Sequence, residues 1–245
     1  MDKRINEMIK KIFGQWNIAE SIFYVAGLAL IITMSICFKA SWISAVAGIF
    51  GLSCVLFAAK GKIICVFLTW GMIVFYSILS FQNKYYGEVF INLCMMFPMT
   101  IIQLVAWIKN LGKDYVVKVN SITKTEIIIV SIVALIAFVI FYFILKVLNT
   151  SQLIFSTISI VTSVLATYFQ SRRSKYGFLS FLFNDSVLCV LWAMATLQDI
   201  KNISMLIAVA LYVVCDIYGF ISWGIMQKRQ QKENIAQSNK SNLED

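Results

Sequence analysis

Along the chain, runs of Leu, Ile, Val, Phe and Ala about 17–24 residues long are separated by short segments that carry nearly all the charge. The runs are eight: Glu20–Phe38, Ile43–Ala59, Ile63–Phe81, Gly87–Ile108, Ile127–Leu148, Leu153–Phe169, Tyr176–Leu197 and Ile203–Met226. An α-helix rises 1.5 Å per residue, so about 20 apolar residues span the roughly 30 Å hydrocarbon core of a bilayer. The segments are apolar throughout rather than at every second residue, which excludes an outer-membrane barrel. The pattern therefore predicts an all-α membrane protein of about eight transmembrane helices joined by short loops. Ahead of the first run, Ile5, Met8, Ile9, Ile12, Phe13 and Trp16 recur at helical spacing with lysines opposite. This predicts a cytoplasmic interfacial amphipathic helix over residues 1–19. The run that follows is too long for a signal-peptide core and ends in no small-x-small site.

Composition narrows the chemistry. Of 245 residues, 60% are hydrophobic and 13% charged, against about 25% charged in a soluble domain. Histidine is absent, which removes imidazole bases, imidazole metal ligands and histidine-dependent triads together. The six cysteines all lie inside apolar runs without C-x-x-C spacing, so they read as packing residues with neither disulfide nor zinc implied. No cofactor or metal is called for.

The 21 basic residues divide unevenly when the eight runs are threaded through a membrane. One side receives seventeen, among them Lys60, Lys62, Lys109, Lys118, Arg172, Arg173 and Lys228; the other receives only Lys39, Lys84, Lys146 and Lys201. The positive-inside rule then places both termini in the cytoplasm of a multi-pass plasma-membrane protein. The net charge of +9 reports on anionic membrane lipids and not on nucleic acid.

A weak internal repeat is present. Gln82 and Trp107 are separated by 25 residues, as are Gln198 and Trp223, at a common offset of 116. The reading divides the chain into an extra N-terminal transmembrane helix (20–40), a first three-helix repeat (41–110), a loop and connector helix (111–151), a second three-helix repeat (152–229) and a cytoplasmic polar tail (230–245). A single connector gives both repeats the same orientation, an arrangement known in transporters with substrate sites near the midplane.

Two acids fall deep inside runs. Asp185 lies nine residues from the start of its run and Asp216 ten from the end of its own, roughly 14–15 Å into the bilayer at 1.5 Å per residue. An intramembrane Asp costs at least about 2.5 kcal/mol unless paired, hydrated or protonated, and so reads as functional unless it merely bonds a neighbouring helix. Tyr212, Asp216, Gly219 and Trp223 share one face of the eighth run; Asp185 and Trp192 share a face of the seventh, with Asn184 adjacent. Asn92, Thr100, Gln103 and Trp107 form a stripe along the fourth, interrupted by Pro98, the chain's one proline, where a kink is expected. Together these predict a polar, aromatic-lined cavity between the fourth, seventh and eighth spans. Carboxylates with aromatic faces suit a flat, cationic, hydroxyl-bearing ligand. Trp107 and Trp223, near inner helix ends, fit an interfacial aromatic belt about as well as ligand contact.

These residues also resemble the PnuC family of nicotinamide riboside and vitamin transporters, over about Ser41 to Arg229. The likeness rests on Ser41-Trp42-Ile43-x-Ala45-Val46, Lys62-Ile63, Phe81-Gln82, Ala106-Trp107-x-Lys109 and Gly219-x-x-x-Trp223. The resemblance implies three helices, a connector and three more, arranged as in SWEET proteins. It also implies facilitated diffusion of a nucleoside-like vitamin precursor, captured by a cytosolic kinase. Members that carry nicotinamide riboside often show W-x-x-W-x-x-x-N in the first helix of the second half's binding core. Here Asn184 is kept, while Gly177 and Ser180 stand at the tryptophan positions and Gln103 replaces the glycine of the fourth-span G-x-x-x-W. The substrate is then nicotinamide riboside, with thiamine or a deoxyribonucleoside as alternatives; the acids favour a cation over neutral riboflavin.

Other functions fit less well. An intramembrane aspartyl protease needs Y-D and G-x-G-D, and the contexts here are Phe183-Asn184-Asp185 and Val214-Cys215-Asp216. A retinal receptor lacks its central lysine. A proton-coupled carrier cycling a proton on Asp216 is the nearer rival. No residue pattern marks an interface for a homo-oligomer, which the reading leaves open.

Overall fold

The apolar runs form helices because a lipid-exposed backbone must satisfy its own polar groups. A computed structural model of the protein describes residue 14, residues 16–112 and residues 115–244. Its membrane-length helices are α1 (Ile18–Cys37), α2 (Trp42–Ala59), α3 (Ile64–Gln82), α4 (Tyr86–Lys109), α5 (Lys124–Val147), α6 (Leu153–Ser171), α7 (Tyr176–Gln198) and α8 (Ile203–Glu244). A short 3-10 turn, Ile200–Asn202, leads into α8. No strand occurs among the described residues; one isolated antiparallel bridge pairs Leu111 with Val117. All eight predicted spans are therefore present, with boundaries shifted by a few residues. The amphipathic helix expected over 1–19 rests mainly on Ile5, Met8, Ile9, Ile12 and Phe13, which lie outside the described residues. Trp16 is described and packs on Tyr24 and Phe57, with ring centroids 5.3 and 5.4 Å away.

Five helices end in the same way. A bond from residue i+5 back to residue i closes the last turn at Ala40 N to Ser35 O, Lys62 N to Phe57 O, Tyr85 N to Ser80 O, Thr150 N to Leu145 O and Ser174 N to Phe169 O. The residue before each donor is left-handed: Lys39, Gly61, Lys84, Asn149 and Arg173. This Schellman closure uses carbonyls that would otherwise lack partners where the helix leaves the membrane. It also holds the loops to a few residues, so sequential helices run antiparallel.

α4 is irregular. It begins as an α-helix at Tyr86–Phe90, widens to a π-helix over Ile91–Met96 and resumes over Phe97–Lys109. Pro98 lacks an N–H and its ring crowds the carbonyl four residues earlier, Cys94, within the widened segment. The kink expected at the proline therefore takes the form of a π-bulge one turn ahead of it.

α8 lies against α2, α7 and α1, while α5 touches chiefly α6 and turns the rest of its surface outward. At the start of α1, Asn17 and Glu20 form a reciprocal capping box (3.0 and 2.9 Å). The same Glu20 carboxylate takes Lys60 from the α2–α3 loop and the hydroxyl of Tyr218 from α8. One acid thus ties α1 to the bundle at two points. On the same side, Arg172 is held above its ordinary pKa by bonds of 2.8 and 3.1 Å to the Glu126 carboxylate at the start of α5.

Backbone bonds gather the loops into two opposite ends. At one, Ser41 N donates to Lys201 O (3.2 Å) and Ser151 N to Lys84 O (3.3 Å), while Asn83 and Asn202 exchange amide bonds of 3.2 and 3.0 Å. At the other, Val117 N donates to Gly61 O (3.1 Å) and Asn120 N to Arg173 O (2.8 Å). The first end carries Lys39, Lys84, Lys146 and Lys201; the second carries Lys60, Lys62, Lys118, Arg172, Arg173 and Lys175. The charge partition read from sequence is thus a partition between the two ends of the bundle.

Close packing at the bundle centre depends on Gly51. A methyl group there would lie 2.1 Å from the Tyr212 hydroxyl, which itself donates to Gly48 O (3.0 Å). Gly51→Ala is expected to cost about 1–3 kcal/mol, measured as a lower unfolding temperature in detergent. Lys84→Cys should react with a membrane-impermeant maleimide on intact cells, and Arg173→Cys only after permeabilisation.

Candidate functional site

A cavity inside the bundle is lined from six helices, α2, α3, α4, α6, α7 and α8. Six of the nine residues expected at a site meet there: Asn92, Gln103, Asn184, Asp185, Tyr212 and Asp216. Their convergence follows from helical spacing. Asn184 and Asp185 sit mid-way along α7, and Tyr212 and Asp216, four apart, project from one face of α8 against it.

The two aspartates are buried, 5% and 1% exposed, and their carboxyls lie within hydrogen-bonding reach of each other. Asn184 donates its amide to Asp185 Oδ1 (3.2 Å). Its own oxygen is held by three hydroxyls of α6: Thr162 (2.9 Å), Ser163 (3.0 Å) and Ser159 (3.3 Å). The asparagine is thereby fixed in orientation, and through it Asp185. Asp216 has no hydrogen-bond partner among the described residues other than the Asp185 carboxyl that it faces.

The three tryptophans are placed differently from the expectation. Trp107, Trp192 and Trp223 are fully buried and absent from the cavity lining. Trp192 donates to the Tyr76 hydroxyl (3.2 Å), Trp107 to Gln170 O (3.0 Å) and Trp223 to Ala58 O (3.0 Å). The rings of Trp107 and Trp223 pack together at 5.7 Å. Neither is part of a lipid-facing belt, because each indole N–H finds a backbone carbonyl inside the bundle rather than the interface. The aromatic lining comes instead from Tyr76, Phe178, Phe181 and Tyr212. Gly177, at a tryptophan position of the family motif, has no room for a side chain: a methyl there would meet Gln170 Oε1 at 2.6 Å.

Glu88 is the principal residue that sequence reasoning missed. It is 2% exposed and lines the cavity, yet as the second residue of its apolar run it reads as a residue of the membrane interface. Its spacing of four from Asn92 extended the polar stripe of the fourth span backwards and could have revealed it. α6 also went unread as a site helix; Ser163, Thr167 and Gln170 all line the cavity, but scattered hydroxyls in an apolar helix carry little signal because they can bond their own backbone.

Two buried polar atoms of lining residues lack a partner among the described residues, Glu88 Oε1 and Gln170 Oε1. Both can accept hydrogen bonds, and the Asp216 carboxyl meets only that of Asp185. No lysine or arginine lines the cavity. The walls are therefore complementary to a ligand that donates hydrogen bonds and carries positive charge, and hostile to an anion. Among the described residues no group of three or more acidic or cysteine side chains forms a metal site.

Comparison with known proteins fits this architecture. The profile of the family described as Nicotinamide mononucleotide transporter matches residues 41–224. This chain belongs to the nicotinamide mononucleotide transporter family. A relative from Neisseria mucosa described as Nicotinamide riboside transporter PnuC is 22% identical over 226 residues, covering 90% of this chain and 86% of that one. A solved structure, described as the crystal structure of the vitamin B3 transporter PnuC, shares the fold with a TM-score of 0.81 at 22% identity. It covers 92% of this chain and 98% of its own. In α7 of this chain, Gly177 and Ser180 are each followed by a phenylalanine, Phe178 and Phe181, that lines the cavity.

The asparagine clamp can be tested directly. Asn184→Leu leaves three hydroxyls and Asp185 without their shared partner, and should destabilise the protein by about 1–3 kcal/mol. Ser163→Ala, which leaves two donors on the amide oxygen, should shift the detergent melting temperature much less.

Proposed function

We propose that the protein imports nicotinamide riboside across the plasma membrane by facilitated diffusion, with both termini cytoplasmic and a cytosolic kinase capturing the product. The observation that carries this reading is the set of unpartnered acceptors around the Asp185–Asp216 pair. Nicotinamide riboside brings a pyridinium charge, ribose hydroxyls and a carboxamide N–H2, all of which such a wall can receive. Membership of the family and the name of the Neisseria relative support the same substrate. A mononucleotide brings a phosphate, for which the cavity offers no cation; the nucleoside is the better fit.

In this reading Asp185 and Asp216 counter the ligand's charge. Asn92, Gln103, Asn184 and Tyr212 bond its polar groups, and Trp107, Trp192 and Trp223 hold the walls. The moving parts are the two three-helix units, 41–110 and 152–229, joined by α5 in a SWEET-like arrangement. Reciprocal bonds between them support it. Trp107 of the first unit donates to Gln170 of the second, and Trp223 of the second to Ala58 of the first. Ser41 of the first unit likewise donates to Lys201 of the second, and Lys84 of the first accepts from Ser151, the connector residue just ahead of the second. Each bond has a counterpart with the roles of the units exchanged, as a pseudo-twofold axis along the membrane normal requires.

The close contact of two carboxyls also favours one rival, a carrier that moves a proton on this pair. Proteoliposomes separate the two. A facilitator equilibrates labelled nicotinamide riboside to equal concentrations with or without a pH gradient, whereas accumulation above equality under an inward proton gradient would overturn facilitated diffusion. Asp216→Asn, which keeps shape and removes charge, is expected to weaken binding of nicotinamide riboside about 10–100-fold by calorimetry, the loss of a charge-assisted contact worth about 1.5–3 kcal/mol. Unchanged affinity would remove the electrostatic basis of the assignment.

A further inference from the structure

Glu88 stands apart from the aspartate pair, and its surroundings are unusual for a carboxyl in the first turn of a helix. Such a group ordinarily turns back to the free N–H groups of that turn, where the helix dipole favours it. Glu88 makes no bond of that kind and is 98% buried, inside the cavity lining. The Tyr76 hydroxyl reaches its Oε2 only at 3.5 Å. Oε1 has no partner among the described residues.

The donors nearby are shared or committed elsewhere. Asn92, one turn along the same helix, donates to the backbone oxygen of Glu88 rather than to its carboxyl (2.6 Å). Ser159 is divided between the carboxyl, which it reaches, and Asn184 Oδ1 (3.3 Å). The Tyr85 hydroxyl donates to Leu191 O (3.0 Å). A buried carboxyl on a cavity wall, with one oxygen unpartnered and the other served by shared or long bonds, carries a large desolvation cost that its neighbours only partly offset. A ligand group that donates to it would offset that cost.

We propose that Glu88 forms a second recognition point in the transport cavity, taking the N–H2 of a carboxamide or amino substituent on the ligand's heteroaromatic ring. This rests on the reading that the cavity binds a cationic nucleoside. Two contacts would then define the ligand class: the Asp185–Asp216 pair reads the positive ring, and Glu88 reads a donor carried on it. The same carboxyl rejects a ring bearing a carboxylate in place of the amide. Such a substituent presents acceptors only and repels Glu88, so both terms act in the same direction.

The test uses the purified full-length protein and two ligands, nicotinamide riboside and nicotinic acid riboside, which differ in that one substituent. Glu88→Gln keeps the length of the side chain and can still accept from Tyr76, so the fold is expected to hold; the melting temperature without ligand checks it. The wild type should bind the amide at least tenfold more tightly than the acid. In Glu88→Gln the amide should weaken about tenfold or more, while the acid is unchanged or improved, so that the preference collapses. Equal weakening of both ligands would assign Glu88 to the ribose, which they share, and overturn the proposal, as would no change in either. Failure of the wild type to bind either riboside would refute the substrate reading itself, a different result from a preference that survives the substitution.

Discussion

Two carboxyl groups in contact inside a bilayer set the terms for the rest of this molecule. Two unit charges about 4 Å apart repel by about 4 kcal/mol even at an effective dielectric of 20, and hydrocarbon supplies no water to relieve them. Asp185 is steadied by Asn184, and Asn184 by three hydroxyls of α6, while Asp216 faces only the Asp185 carboxyl. A fold that spends polar groups on holding one acid and none on satisfying its partner keeps an unmet demand for positive charge at its centre. The cavity walls repeat the theme in Glu88 Oε1 and Gln170 Oε1, acceptors without a partner among the described residues.

The helices make that arrangement rigid. Gly51 lets Tyr212 of α8 close on α2, and Gly219 lets the Phe178 ring lie 2.4 Å from where a methyl group would be. These close approaches bring α7 and α8 near enough for their acids to touch. At the basic end the α1 carboxylate Glu20 is bonded to both the α2–α3 loop and α8. α1 lies before residue 41, where the family profile begins, but the likeness to the Neisseria relative covers 90% of this chain and so reaches into α1 as well.

Much of the fold was legible in the sequence, and less of the site. Span number and the partition of basic residues between the two ends follow from apolar length and from where lysine and arginine fall, properties that need no tertiary information. The aspartates stood out because charge is rare in hydrocarbon. The tryptophans misled: spacing puts Trp192 on the face of Asp185, but a buried indole N–H seeks an acceptor. Trp192 finds one in the Tyr76 hydroxyl and Trp107 and Trp223 in backbone carbonyls, and all three rings lie outside the cavity lining. Glu88 was hidden by its place at the end of a run, where acids are common. The π-bulge over Ile91–Met96 lies beyond pattern reading altogether, since one proline dictates a disturbance but not its form.

Trp107 and Trp223 are anchored on backbone oxygens, those of Gln170 and Ala58, whereas the side chains of these same two residues face the cavity. A carbonyl is present whatever amino acid stands at the position. Residues 58 and 170 are thus free to change, altering what the cavity accepts, while the indole anchors that join the two halves persist. Specificity and mechanical coupling occupy the same residues yet are encoded in different atoms, which gives lineages of this fold a route to new cargo without rebuilding the machinery that moves it.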